Sequence, residues 1–304
     1  MISYIKQNLA TIDLNQCQRL FHGRGHAYNA LEHVNVDWFS PVILITLYQA
    51  VDAQWLNEQV DALSELTEFQ GSCLSIQVQH RYQKYAPIEV LWGENIAETI
   101  VEEHQLKFHI QLGKSQNLGL FLDMANGRKW LLNNAQDKKI LNLFAYTCAF
   151  SIAGIAGGAE QVINIDMAKA ALSKGRDNHK LNQQDLSRVK FEGVDIFKSY
   201  GRLKKYGPYD ILVCDPPSFQ KGSVDIERDY KKIIKRIPQL MKTEAEILLC
   251  LNSPDLDETF LLAEVERECP ACIFQEKIQN PTVFVEAEKG KGLKVLRFKY
   301  LPNS

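Results

Sequence analysis

No apolar run in the 304-residue sequence approaches the length that a helix needs to cross a bilayer. The opening stretch MISYIKQNLATIDLNQ lacks the basic flank and apolar centre of a signal peptide, so the expected compartment is the cytoplasm. Excess charge is missing too: a formal net charge of -2 excludes a globally basic nucleic-acid binder and leaves any such contact to a local patch. The cysteines Cys17, Cys73, Cys148, Cys214, Cys250, Cys269 and Cys272 form no cluster. They lie mostly inside apolar runs, as buried thiols in a reducing compartment do. Cys269 and Cys272 have C-x-x-C spacing but no second pair and no neighbouring histidine. His22, His26 and His33 have no acidic or cysteine partner at ligand spacing, so no metal is expected.

Another absence is more informative. Ile140 to Asp166 reads ILNLFAYTCAFSIAGIAGGAEQVINID: an apolar run, a turn, a short helical pattern ending at Gly157 and Gly158, and a second apolar run closing on Asp166. This is a strand-helix-strand unit. Ligands of such units lie across the carboxyl ends of the parallel strands, where an acid about 20 residues after the first turn can hold ribose hydroxyls. Asp166 occupies that place. A dinucleotide would also demand Gly-x-Gly-x-x-Gly in the turn, because its pyrophosphate must approach the backbone closely. Ala145 to Phe150 contains no glycine. A nucleoside ligand without phosphates, such as S-adenosylmethionine, relaxes that demand. Two further runs end in the same way, Val189 to Val194 on Asp195 and Tyr209 to Cys214 on Asp215-Pro216-Pro217-Ser218-Phe219. Acids therefore end three successive strands on one edge of a sheet. Each acid taken singly also reads as a helix or turn cap.

Residues 1–115 read as a separate small α+β domain. A helical start at Asp13 to Leu20 is followed by the stretch Phe21-His22-Gly23-Arg24-Gly25-His26. Strands are expected at Pro41 to Tyr48, Cys73 to His80, Ile88 to Trp92 and Leu106 to Leu112, with an amphipathic helix over Ala53 to Leu66. Arg24 between two glycines suits either a phosphate contact or a turn that needs glycine backbone angles. Residues 116–304 form the α/β domain. Its helices are expected at Cys148 to Ala156, Met167 to Leu181, Tyr230 to Met241 and Leu256 to Glu268. Its later strands are Ile247 to Leu251, Ile273 to Ile278 and Leu293 to Leu301, the last entered by a hairpin turn at Lys289-Gly290-Lys291-Gly292. Lys221, Arg228, Lys231, Lys232, Lys235, Arg236 and Lys242 outnumber Asp225, Glu227 and Asp229 just after the Asp-Pro-Pro segment. This is either a basic patch for RNA or a solvated helix face.

The run Ile140 to Thr147, together with Asp166, Asp195, Asp215-Pro216-Pro217-Ser218-Phe219 and the preceding Gly119-x-Phe121-x-Asp123, resembles the RlmI and RlmK type of large-subunit rRNA methyltransferases. The resemblance implies an α/β fold, a Rossmann-like class I methyltransferase sheet with helices on both faces, preceded by the small domain. It implies S-adenosylmethionine as cofactor and RNA, specifically rRNA, as substrate. By the same resemblance Phe144 and Tyr146 surround the methionine part of the cofactor, Asp166 binds its ribose, and Asp195 with Ile196 brackets its adenine. Arg128, Asn142, Thr147, Met167 and Asp215 complete the cofactor set, and Asp215, Pro216, Pro217 and Phe219 form the catalytic loop. The sequence departs from the pattern in three places. Met124-Ala125-Asn126-Gly127 separates Asp123 from Arg128, Cys148-Ala149 replaces a common Gly-Gly, and the PUA module that precedes RlmI-type enzymes is not seen.

Making 5-methylcytosine requires a cysteine thiolate that adds to the ring. By the resemblance that cysteine follows the fifth strand, where this chain has Ser253, with Cys250 inside the strand. The Asn252-Ser253 pair is closer to the RlmK type, which points to a guanine ring nitrogen and non-covalent transfer. A methyltransferase acting on a small molecule or protein, and a cofactor- or RNA-binding scaffold without catalysis, remain the alternatives.

Overall fold

The computed structural model describes residues 1–9, 12–113, 116–217 and 225–302. They divide into a first unit, Met1–Leu122 with Pro281–Lys289, and a second, Asp123–Asn280 with Gly290–Ser304. The boundary expected after residue 115 therefore lies too early, and a late segment returns to the first unit.

In the first unit α1 (Ile2–Asn8) precedes β1 (Gln18–His22), β2 (Val34–Phe39) and β3 (Val42–Leu47). Helix α2 (Ala53–Ser64) then crosses to β4 (Ser75–His80), and β5 (Ile88–Gly93) closes the sheet. The order is β1-β2-β3-β4-β5, antiparallel except for the β3/β4 pair that α2 connects. Strands β6 (Glu98–Glu103) and β7 (Leu106–Gln111) form a hairpin. Asp52 caps α2 by accepting the Trp55 amide at 2.9 Å. Leu56, Val60 and Leu63 of that helix join Val36, Trp38, Ile43 and Ile45 of the sheet in one core.

The expected helix over Asp13 to Leu20 is not formed. The helix lies earlier, and Gln18–His22 is a strand paired with β2. Strand β2, VNVDWF, is buried along its whole length, polar residues included. Asp37 is paired with Arg19, and Asn35 accepts the Arg24 amide at 3.3 Å. Gly23 and Gly25 are required for space rather than for backbone angles. A Cβ would run into the carbonyl of Leu31 at Gly23, and into that of Val285 at Gly25. The returning segment is knitted to this corner. The Ala287 amide donates to the Gly25 carbonyl at 2.7 Å, His22 Nε2 lies 3.3 Å from Glu286, and Phe284 packs against the His22 ring and the Arg19 guanidinium.

The second unit runs α3 (Ala125–Asn134), β8 (Lys139–Leu143), α4 (Ala149–Ala156), β9 (Gln161–Ile165), α5 (Lys169–Leu181), β10 (Val189–Glu192), α6 (Tyr200–Tyr206) and β11 (Tyr209–Cys214). It continues with α7 (Ile226–Ile234), α8 (Ile237–Leu240), β12 (Met241–Leu251), α9 (Glu258–Glu268), β13 (Cys272–Ile278) and β14 (Lys294–Tyr300). Strand order is β10-β9-β8-β11-β12-β14-β13, parallel except for β14, which is antiparallel to both neighbours. Alternate residues feed two cores. Leu141 and Leu143 face one with α7 and α9, while Ile140 faces the other with α3 and α4, so helices cover both faces. The chain moves outward from β8 to β10 and then returns to place β11 beside β8. That reversal opens a crevice at the strands' carboxyl ends.

Two local expectations are corrected. The helix expected to reach Met241 stops at Ile234, and after the short α8, which carries Pro238 in its first turn, Met241 opens β12. The connection from β13 to β14 is no tight hairpin at Lys289 to Gly292, since residues 281–289 pass through the first unit.

Candidate active site

The loop leaving β8 alternates in and out of the left-handed region. Phe144, Tyr146 and Cys148 have φ of 58, 47 and 63°, a conformation that non-glycine residues hold at a cost of order 1–3 kcal/mol each and that clusters at functional sites. Neighbours fix it. The Ala145 amide donates to the Ile165 carbonyl at 3.0 Å, and the Tyr146 amide donates to Asp166 Oδ2 at 2.8 Å. Cys148, in the place of a family glycine, fits because α5 offers Gly175 opposite it. A Cβ on Gly175 would meet the Cys148 sulfur and lie 2.8 Å from the Cys148 Cβ. Gly175→Ala should therefore destabilise the fold by about 1–3 kcal/mol, and Cys148→Gly in the same chain, which removes both the sulfur and the Cβ, should recover most of the loss. Urea denaturation of the double-mutant cycle tests this, and additive effects would refute the pairing.

Asp166 and Asp195 do serve as local caps. Asp166 Oδ1 accepts the Ala168 amide at 2.7 Å, and Asp195 Oδ1 accepts the Phe197 amide at 2.9 Å. Each carboxylate oxygen has a second lone pair, so both acids can still accept from hydroxyl or amino groups. Met167, 59% exposed, presents an apolar surface beside Asp166. An acceptor-rich rim with apolar neighbours fits a neutral nucleoside.

Two of the expected cofactor residues have their side chains engaged inside the fold. Asn142 is buried within the sheet and donates to Asn164 Oδ1 at 2.8 Å, the start of a chain through Ser151 to His179. The Ile196 side chain lies in the core with Leu143 and Ile165, which leaves its backbone as the part able to face a ligand. Thr147 is buried, and its carbonyl accepts from Asn178 at 3.4 Å.

Asp215 follows β11 directly, with Pro216 buried behind it. Its carboxyl is pushed up to about 7, first by burial and then by the charge of Asp123, against the pull of Arg128. Arg128 is buried on α3, and Asp123 precedes that helix. Asp123 of the Gly119-x-Phe121-x-Asp123 motif and Arg128 thus both act electrostatically on Asp215. Phe219 lies outside the described residues. The Tyr230 hydroxyl, 2.9 Å from the Cys250 carbonyl and 3.3 Å from that of Cys214, ties the ends of β11 and β12 together.

A family model described as S-adenosylmethionine-dependent methyltransferase matches residues 18–299. The chain belongs to that family. Over 207 residues it is 31% identical to Ribosomal RNA large subunit methyltransferase K of Neisseria meningitidis serogroup B, covering 65% of this chain and 57% of that one. Over 286 residues it is 28% identical to Ribosomal RNA large subunit methyltransferase I of Vibrio vulnificus, covering 86% and 72%. The chain thus spans little more than half the length of the Neisseria relative. The solved structure of SMU.776 complexed with SAH matches with a TM-score of 0.85 at 24% identity, over 98% of this chain and 81% of that one. The M. jannaschii tRNA m1G37 methyltransferase matches with a TM-score of 0.60 at 18% identity, over 88% and 74%. These structures share the fold.

The thiols nearest Asp215 are poor nucleophiles. Cys214 and Cys250 are fully buried, and burial pushes both well above the usual thiol range, with Asp215 adding to the effect. Ser253 is buried, and its hydroxyl accepts the Asp255 amide at 3.2 Å. The loop that carries Ser253 is held by a residue sequence reading passed over. Lys294, 1% exposed, donates from Nζ to the carbonyls of Ser253, Leu256 and Gly290 at 2.6, 2.7 and 2.8 Å.

The expected basic patch is largely neutralised by its own surroundings. Arg228 and Lys232 both bond buried Asp229, each with a contact of 2.7 Å. Lys235 pairs with Glu268 at 3.1 Å and Lys242 with Asp210 at 2.9 Å. Arg236 donates to Gln239 at 3.0 Å and lies over the Tyr200 ring. Lys221 lies outside the described residues. Among the described residues no cluster of three or more His, Cys, Asp or Glu side chains could hold a metal, and no helix is long and apolar enough to cross a membrane.

Proposed function

We propose that this methyltransferase acts on a base in RNA, with ribosomal RNA the favoured substrate and a guanine ring nitrogen the favoured acceptor, without a covalent enzyme-base intermediate. The observation that carries this reading is the pairing of an ionisable Asp215 with neighbouring thiols that burial keeps protonated. The relatives named as rRNA methyltransferases K and I support the substrate class, and such an enzyme would work in the cytoplasm.

Bound S-adenosylmethionine would supply a methyl group activated by its sulfonium. The 144–148 loop, Asp166, Met167 and Asp195 would hold it. A ring nitrogen is already nucleophilic and needs positioning more than activation. It gains positive charge as the methyl arrives, and an ionised Asp215 offers that charge a counterion where burial strengthens the attraction.

Tritium carried from labelled cofactor into RNA, and into protein and small-molecule fractions in parallel, tests the substrate class. Cys214→Ser and Cys250→Ser should retain transfer apart from the stability lost by placing a hydroxyl in the core, about 1–3 kcal/mol where it finds no partner. Label in protein or metabolites alone would refute the RNA reading. A covalent adduct with RNA containing 5-fluorocytosine would restore a cysteine mechanism.

A further inference from the structure

Strands β4 and β5 are joined by a tip reading Arg81-Tyr82-Gln83-Lys84-Tyr85-Ala86-Pro87, which contains no acid. Its tyrosines are turned to solvent, Tyr85 being 79% and Tyr82 42% exposed. Tyr85 and Ala86 hold φ of 69 and 47°, a region that bulky side chains avoid. Lys84 Nζ sits 4.9 Å from the Tyr85 ring centroid. One step along the same surface the guanidiniums of Arg24 and Arg81 both lie over the Tyr48 ring, 4.6 and 5.9 Å from its centroid, and Arg81 is braced by the Gln116 carbonyl at 2.8 Å. Among the described residues no carboxylate pairs with Arg24, Arg81 or Lys84. The nearby Glu89 lies against His80 at 3.1 Å. These cations therefore differ from Arg228 and Lys232 of α7, which Asp229 already neutralises.

We propose that this face of the first unit binds single-stranded RNA. An unpaired base stacks on Tyr85, with Tyr82 beside it, while Arg24, Arg81 and Lys84 take the flanking phosphates. The charge of the face is complementary to a phosphate backbone, and exposed aromatic rings interleaved with cations suit unpaired bases rather than a duplex, whose bases are already stacked. Aromatic support keeps the two guanidinium planes presented. The proposal rests on the RNA reading of the methyltransferase and names where that substrate is gripped.

The test measures anisotropy of a labelled single-stranded oligoribonucleotide bound to the full chain across a salt series, with methyl transfer to RNA assayed alongside. Tyr85→Ala should weaken binding about tenfold at fixed salt. The triple variant Arg24→Gln, Arg81→Gln, Lys84→Gln should lower the slope of log affinity against log salt by about 2, at about 0.7 for each phosphate on a single strand. Calorimetry should show S-adenosylmethionine binding unchanged in both, and circular dichroism of each variant should match the parent, which reports folding. Should the triple variant fail that control, Tyr85→Ala decides alone, because its exposed ring supports no core. Parent-like RNA binding in a folded Tyr85→Ala variant, while the parent methylates RNA, would overturn this surface and leave the functional reading standing. Equal affinity for duplex RNA would overturn the stacking. A parent that neither binds nor methylates RNA would overturn both.

Discussion

Lys294→Met should lower the stability of the chain by about 3–5 kcal/mol, through the loss of buried hydrogen bonds from a charged donor. Methionine keeps the stem of the side chain and removes the ammonium, so packing is largely conserved and the loss reports what the ammonium holds, including the three hydrogen bonds. Each bond from a charged donor contributes about 1.5–3 kcal/mol, and the carbonyls of Ser253, Leu256 and Gly290 would lose a shared partner. The figure stays below the sum because the loop can open and let water reach them. Urea denaturation followed by circular dichroism measures it. A loss under about 1 kcal/mol would mean that the loop after β12 is held by something else.

Asp215→Asn should reduce methyl transfer about 100- to 1,000-fold, the magnitude seen when one electrostatic contact to a developing charge is removed. The pH dependence separates this role from a structural one. A carboxyl that titrates near 7 is protonated and neutral below that pH, so it cannot balance a positive charge there. Turnover of the parent should rise about tenfold per pH unit up to about 7 and then level off. Asparagine has nothing to ionise, and its profile should be flat across that window. Asp123→Asn removes the second-largest cause of the upward shift and should move the rising limb to lower pH. An Asp215→Asn variant that keeps the limb would assign the ionisation to another group and end this account.

Much of this site was legible because its signals are local. The apolar runs that end at Asp166, Asp195 and Asp215 are strands of four to six residues, each with its acid just beyond, and the missing glycines in the first turn pointed away from a pyrophosphate. What was not legible depends on residues far apart in the chain. Cys148 reads as a misplaced glycine until Gly175 is found opposite it. Asn142 reads as a strand-end contact until Asn164, its register partner, takes its amide. The basic stretch from Arg228 to Lys242 reads as a free patch because Glu268 and Asp210, which pair with two of its lysines, lie outside it in sequence. Strand β2 was passed over although VNVDW alternates with period 2; what the alternation could not show is that Asn35 and Asp37 are buried too, satisfied by the Arg24 amide and by Arg19.

The path of residues 281–289 sets the timing of biosynthesis. The first unit begins at Met1, yet the carbonyl packed against Gly25, the amide donated to it and the carboxylate beside His22 come from Val285, Ala287 and Glu286. A nascent chain that has only reached Leu122 is still without them. While the α/β unit is being translated, the N-terminal sheet must wait in an incomplete state, with the Gly23 to Gly25 corner open. A gene fragment cut at the apparent domain boundary would reproduce that unfinished intermediate rather than a transplantable module.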